Sequence, residues 1–337
     1  MGLRQQASTA AITLGRALFA DTPVQRWPVT TRLYRAMFRF GHSGHEVVVP
    51  FRGLRLTAPN RDVTIVPGLV GGFYETIELD IFEQLAARSR TIIDVGANIG
   101  LYSCLAAQHG PTGSRVVAFE PVPDNVAYLR RNLAENGHGV RVRVEAVAVG
   151  DRSGDVTIYQ VEGDVSIGTH SVSARNASDS ATSLRVPMAC LDEYVAHHGI
   201  TDVDVVKVDV EGFEAAVLAG AARLLRAQRP TLLIEYIAEH LRNCQADPEE
   251  VVRTIFSTYD AVYAIDELGR SVVRCAPEDL LHPRPGVRVG ANLVAVHGGT
   301  RPDHQQVVES AAAVAGSPRP GPAARAGGRG PVTGGGR

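Results

Sequence analysis

The chain has 337 residues and a formal net charge of -2, with 45% hydrophobic and 21% charged side chains. That balance allows the packed core of one large domain with extensions, or of two small domains, and it excludes global disorder. The near-neutral charge offers no electrostatic reason to expect nucleic acid or an anionic membrane as a partner.

Residues 1–65 read as an extension ahead of the main domain. Arg4 and Arg16 accompany a mildly apolar run over 7–20, but Ser8, Thr9 and Thr13 dilute it, so it makes a poor signal-peptide core. Leu33, Tyr34, Met37 and Phe38 cluster at helical spacing among Arg32, Arg35 and Arg39. The spacing predicts a short helix packed on the main domain, with a basic amphipathic surface as the other reading. Alternation over 46–51 and 54–57 predicts a small hairpin turned at Arg52-Gly53. No run approaches the roughly 18 to 20 apolar residues of a membrane span, so no stable membrane insertion is expected.

A helix is predicted over 74–85. Strands then alternate with helices: strands near 91–95, 115–119, 142–147, 204–208 and 231–236, helices near 100–109, 123–136, 212–227 and 248–257. Such alternation predicts an α/β domain over 66–298, a parallel sheet with helices on both faces. An insertion between the third and fourth of these strands carries an extra strand at 156–159 and a polar loop over 171–183. Loops of that kind over strand ends often carry substrate contacts. The last strand falls at 292–296. Beyond Gly298 the composition turns towards Pro, Gly and Arg, which bury little apolar area, so 299–337 is expected as a disordered tail. The four cysteines, Cys104, Cys190, Cys244 and Cys275, form no C-x-x-C pair. They give no support to a zinc site or a disulfide framework and suit a reduced, cytoplasmic protein.

Three segments carry chemistry. The first is Thr91-Ile-Ile-Asp-Val-Gly-Ala-Asn-Ile-Gly-Leu101, an apolar strand running through Asp94 into a turn with Gly96, Asn98 and Gly100. Glycines there permit a tight turn and a close ligand approach, at the sheet edge where open α/β folds bind ligands. The dinucleotide fingerprint is G-x-G-x-x-G, whereas here the acid precedes the first glycine and position 98 is Asn. The pattern therefore suits a cationic or hydroxyl-rich nucleoside better than a pyrophosphate. The second segment ends the next strand with Glu120, 24 positions after Gly96, where a carboxylate can take both ribose hydroxyls. The third, Asp204-Val-Val-Lys-Val-Asp-Val-Glu-Gly-Phe-Glu214, sets Lys207, Asp209, Glu211 and Glu214 around the end of a central strand. Glu214 alone could be a helix-start charge favoured by the dipole. Glu235 ends the following strand and is either solvated or part of the substrate site.

These pieces, in this order, resemble the FkbM family of methyltransferases dependent on S-adenosylmethionine (SAM). The likeness is carried by Ile93-Asp-Val-Gly-Ala-Asn-Ile-Gly-Leu-Tyr102, Phe119-Glu-Pro-Val-Pro-Asp-Asn125, Ala146-Val-Ala-Val-Gly-Asp151, Val206-Lys-Val-Asp-Val-Glu-Gly-Phe-Glu-Ala215 and Pro230-Thr-Leu-Leu-Ile-Glu235. It spans about 74–296. The resemblance implies a class I (Rossmann-like) methyltransferase fold with a seven-stranded sheet and one antiparallel strand, at 292–296. It implies that Asp94, Gly96, Asn98 and Gly100 surround the amino-acid part of SAM, that Glu120 holds the ribose, and that Glu145 and Ala146 lie beside the adenine. Asp209 and Glu211 would sit near the methyl group and the acceptor, and Lys207 and Glu211 are expected to bind substrate.

Methyl transfer from a sulfonium asks the protein to align donor and nucleophile and to exclude water. An alcohol acceptor must also lose a proton, for which Asp209, Glu235 and His170 are the candidates. A metal could replace the base, but the sequence shows no preformed ligand set. The expected activity is O-methylation of a small-molecule acceptor, a sugar or a polyketide-type product by the resemblance alone. N-methylation, a nicotinamide-dependent oxidoreductase and a non-catalytic binding scaffold are the alternatives.

Overall fold

The computed structural model describes residues 46–60, 62, 65–71, 74–161, 170–173, 181–267, 270–282 and 291–315. The expected helices before residue 46, the signal-peptide question and residues 316–337 lie outside these. Fourteen strands and eleven helices follow in chain order among the described residues. A hairpin, β1 (Glu46–Phe51) and β2 (Leu54–Pro59), leads to helices α1 (Ile65–Gly71) and α2 (Thr76–Ala86). The alternating part runs β3 (Thr91–Val95), α3 (Leu101–His109), β4 (Arg115–Phe119), α4 (Pro123–Glu135) and β5 (Val142–Glu145). The insertion supplies β6 (Ala148–Gly150), β7 (Gly154–Val161), β8 (His170–Ser171) and β9 (Ala181–Cys190). Next come α5 (Leu191–His197), β10 (Val205–Val208), α6 (Glu214–Gly220), α7 (Ala222–Gln228), β11 (Thr231–Tyr236), α8 (Ala238–Asn243) and α9 (Pro248–Thr258). The chain closes with β12 (Ala261–Asp266), β13 (Ser271–Arg274), α10 (Pro277–Leu281), β14 (Ala291–Val296) and α11 (Pro302–Ala315).

The central sheet has the order β13-β12-β14-β11-β10-β3-β4-β5. β14 is antiparallel to both neighbours, and the run from β11 to β5 is parallel. This is the class I methyltransferase order, with its antiparallel strand where the resemblance puts it. An eighth strand, β13, is added as a hairpin on β12. Alternate strand residues feed two cores, as a period of two requires. Ile92, Val116, Val205 and Leu233 pack with the hairpin, α2 and α3 on one face. Ile93, Val117, Val206 and Leu232 pack with α6, α7 and α9 on the other. Both faces are covered, which is why these strands read as continuous apolar runs.

The order reverses beside β3: the chain builds outward through β4 and β5, then returns to add β10 on the other side of β3. Such a switch point leaves a crevice at the carboxyl ends of the strands. The insertion strands form a second, smaller sheet of order β6-β9-β7-β8.

Two expectations are corrected. The helix read over 212–227 is two short helices, α6 and α7, separated at Ala221. The region after residue 298 is not all tail. Pro302–Ala315 is a helix whose His304, Val307 and Val308 are buried, an i, i+3, i+4 set that a change in composition masks. No helix among the described residues is long and apolar enough to cross a membrane.

Candidate active site

A cavity of about 250 Å³ occupies the crevice at the switch point. Its floor is the turn after β3. The chain reverses there through Gly96 at φ +83°, Asn98 at +51° and Gly100 at +92°. The Gly96 and Ala97 amides both donate to Phe119 O at 3.0 Å, and the Asp209 amide donates to Val95 O at 3.1 Å. The ends of β3, β4 and β10 are thereby tied together. A Cβ on Gly96 would stand 1.9 Å from Asp209 O, so only glycine allows this approach.

Glu120 follows β4 and lines the cavity. Its Oε2 accepts from the Asn98 amide at 2.8 Å, and its Oε1 accepts from the Val122 amide at 2.9 Å. Burial pushes its pKa up to about 7, against these hydrogen bonds, which favour the carboxylate. Each oxygen keeps acceptor capacity for a ligand hydroxyl. Lys207 is buried at 3% exposure beneath the same cavity. Its Nζ lies 3.1 Å from Asp209 Oδ2 and 4.3 Å above the Tyr102 ring. Burial opposes the ammonium, but Asp209, Asp94, Glu78 and Glu75 outweigh it and raise the Lys207 pKa.

The wall facing Asp209 comes from the start of α2, which sequence reasoning passed over. Glu75, at φ +40°, lines the cavity. Tyr102 Oη lies 2.7 Å from Glu75 Oε2 and 2.9 Å from Glu78 Oε1, its one proton shared between the two carboxyl groups, and Asn292 donates to Glu78. Desolvation followed by mutual repulsion lifts Glu75 to about 8, and desolvation lifts Glu78 to about 7. A signal for Glu78 was present. It shares a stripe with the buried Phe82 and Leu85 at i+4 and i+7, where an acid is out of place unless it is used.

Of the expected residues, the fold brings Gly96, Asn98, Glu120, Lys207, Asp209, Glu211 and Glu235 onto one cavity. Asp94 lies beneath the turn instead, with no exposed surface, where Ser103 Oγ donates to it at 2.6 Å. Burial raises its pKa and the Lys207 charge opposes the rise. Gly100 stands behind the wall, where a Cβ would meet Leu129 Cδ1 at 2.5 Å. Glu145 is engaged by Tyr194 Oη at 2.8 Å and Arg143 Nε at 2.5 Å, and Ala146 is exposed. The residues from this stretch that do reach the cavity are Val147, Ala148 and Val149. The His170 backbone pairs with Gln160 in β8, and its side chain lies outside the described residues. Ile158 of β7 and Val172 roof the cavity from the smaller sheet.

Glu211, at φ +53°, and Glu235 complete the end nearest β11. Desolvation first, then Asp209 and Glu211, hold the Glu235 carboxyl well above the ordinary carboxylate range. His240 of α8 places Nδ1 3.3 Å from Glu211 Oε2. Glu214 is structural: it accepts from the Val210 and Gly212 amides at 3.2 Å and braces the loop. Carboxylates thus outnumber the single ammonium, which favours a cationic ligand. Together with the hydroxyl-accepting Glu120 and the close backbone at Gly96, the donor set fits SAM.

A protein-family model described as the methyltransferase FkbM domain matches residues 94–265. Hexuronic acid methyltransferase AglP of Haloferax volcanii is 28% identical over 181 residues, covering 53% of this chain and 67% of that protein. The 31-O-demethyl-FK506 methyltransferase FkbM of Streptomyces tacrolimicus is 30% identical over 155 residues, 38% of this chain and 58% of its own length. The 2-O-methyltransferase NoeI of Sinorhizobium fredii is 26% identical over 197 residues, 55% of this chain and 79% of that protein.

Proposed function

The chain belongs to the FkbM family of SAM-dependent methyltransferases, and on that premise we propose that it methylates a hydroxyl of a small-molecule acceptor, of sugar or polyketide type. The acceptor class is supported by the names of the relatives, which include a hexuronic acid enzyme, an FK506 enzyme and a 2-O-methyltransferase. One observation carries the reading. A single cavity joins Glu120 and the glycine turn on one side of β3 to Asp209 and Glu235 on the other. Its two halves can therefore hold a nucleoside and an acceptor side by side. The proposed compartment is the cytoplasm, where buried thiols such as Cys104 and Cys190 are usual.

SAM supplies an electrophilic methyl group on a sulfonium. In this reading Glu120 accepts from the ribose hydroxyls, and Glu75 faces the ammonium of the amino-acid part. Phe119, Val147 and Val149 provide the apolar contact for the adenine. Gly96 and Asn98 bring the backbone against the ligand, and Asp94 acts from beneath by sustaining the Lys207 charge. Glu211 and Glu235 hold the acceptor. Asp209 takes the proton from its hydroxyl, with Lys207 fixing the carboxylate from 3.1 Å. Ile158 and Val172 keep water from the reacting end.

Calorimetric titration with S-adenosylhomocysteine, with NAD as the control, tests the cofactor assignment. Saturable binding of the first alone is expected; preference for NAD would sink the reading. Glu120→Ala should weaken that binding about tenfold to a hundredfold, the loss of one or two charge-assisted hydrogen bonds. Asp209→Asn should lower kcat about a hundredfold or more while leaving cofactor affinity within a few fold. An Asp209→Asn protein that loses only thermal stability would make that acid structural.

A further inference from the structure

The cavity has two chemically distinct ends. At the β3–β4 end, each Glu120 oxygen accepts one backbone amide and keeps a lone pair for a ligand hydroxyl. At the β10–β11 end, three donors converge with a different character. One ligand atom from each of Glu211, Glu235 and His240 lies within 4.8 Å of the others. They come from three separate positions: the loop after β10, the end of β11 and the helix α8.

Glu235 is the least explained group of the three. Its side chain lines the cavity and is half-buried, yet no described residue donates a hydrogen bond or an ion pair to its carboxylate. The charges that most oppose its ionisation are the acids Asp209, Glu211, Glu214 and Glu75, with His240 the basic group of the cluster. A half-buried carboxylate without a protein donor is met in native proteins by water or by an ion. Lys207 does not meet the need: its Nζ is engaged by Asp209 and lies over the Tyr102 ring.

We propose that Glu211, Glu235 and His240 form a divalent-cation site at the acceptor end of the cavity, and that the bound cation receives and polarises the acceptor hydroxyl. The proposal deepens the methyltransferase reading and rests on it for the nature of the acceptor. Atoms bound to one small ion, each at about 2.1 Å, stand about 3 to 4 Å apart. Side-chain shifts of the order of an ångström therefore close these three around a cation. Two carboxylates and one imidazole are a mixed oxygen–nitrogen set that suits manganese(II) and its neighbours rather than a thiophilic metal. Three protein ligands leave positions open, as a catalytic rather than a structural site requires. A hydroxyl oxygen on such an ion loses its proton more readily. The O–H bond breaks, its electron pair stays on the oxygen held by the cation, and the proton passes to Asp209, which shares the cavity. An acceptor with two adjacent hydroxyls, as in a sugar, could occupy two of the open positions.

The test is a titration of the full chain with manganese(II), followed by electron paramagnetic resonance of the free ion, alongside S-adenosylhomocysteine calorimetry on the same samples. One saturable site per chain is expected. Glu235→Gln and His240→Ala should each weaken it tenfold or more while leaving S-adenosylhomocysteine affinity within about threefold. No saturable manganese binding, or binding undiminished in both variants, overturns the site. S-adenosylhomocysteine binding is read separately, and its absence in the unmodified chain overturns the methyltransferase reading instead.

Discussion

Gly96 joins the cofactor half of the cavity to the acceptor half through a backbone contact rather than a side chain. At φ +83°, with Asp209 O where a Cβ would stand, alanine there must push the β3 and β10 loops apart. Gly96→Ala should lower unfolding stability by at least about 2 kcal/mol, the scale of a substitution that forces backbone strain. It should also weaken S-adenosylhomocysteine binding more than a surface change of equal stability cost. Chemical denaturation and calorimetry on one preparation check both, and an unchanged midpoint would show that the loops yield freely. The importance of Gly96 is legible in the sequence because only a glycine turn after an apolar strand makes sense of Asp94-Val-Gly. Glu75, Glu78 and Tyr102 are not legible in the same way. Their meeting depends on α2 docking over the strand ends, and helix periodicity assigns a face without naming what covers it. The same limit applied to Glu145 and Ala146: order along the chain placed them after β5, but the strand end turns them outward and the next three residues inward.

At the scale of elements, α2 is held by a residue almost two hundred positions away in the sequence. Its own N-cap, Glu75, is in the left-handed conformation and makes no side-chain cap. Glu267, after β12, supplies the missing acceptors. Its Oε1 accepts from the Ile77 and Glu78 amides at 2.8 Å, and its Oε2 accepts from Thr76 Oγ1 at 3.1 Å. The arrangement frees Glu75 to face the cavity and ties the far edge of the sheet to the active-site wall. Glu267→Ala should cost about 1 to 2 kcal/mol, as the loss of a helix cap does, and should weaken cofactor binding through Glu75 without touching the cavity itself. Thermal unfolding and calorimetry would detect the pair of effects. Loss of stability with fully retained affinity would show that Glu75 keeps its place unaided. The central strands were readable because apolar runs of five residues bounded by turns have one parallel-sheet solution. α11 was not, because its buried face is three residues inside a segment of turn-rich composition.

Over the whole molecule, a formal charge of -2 conceals a local concentration of buried acid. Desolvation raises Glu75 to about 8, and Glu78, Glu120 and Glu214 to about 7, each from an ordinary value of 4.5. A carboxyl whose pKa is higher in the folded chain binds more protons there than when unfolded. Its contribution to stability is complete below about 4.5 and is lost as pH rises through 7 to 8. His304 acts in the opposite sense: burial lowers its pKa, so its contribution grows with pH, but only up to the unfolded value near 6.5. Above that point the acids act alone among these groups. The ligand-free chain should therefore lose thermal stability as pH rises from about 6.5, with the loss levelling off above about 8. A cationic ligand favours the ionised acids, so by linkage its binding must release protons in the same window. Calorimetry of S-adenosylmethionine binding at pH 7 in buffers of different ionisation enthalpy counts those protons. The expected count is greater than zero and falls in Glu75→Gln, which keeps the shape of the side chain and removes its titration. A melting temperature flat across the window, with no proton release on binding, would mean that these acids are already ionised in the empty cavity, and that Lys207 alone balances them.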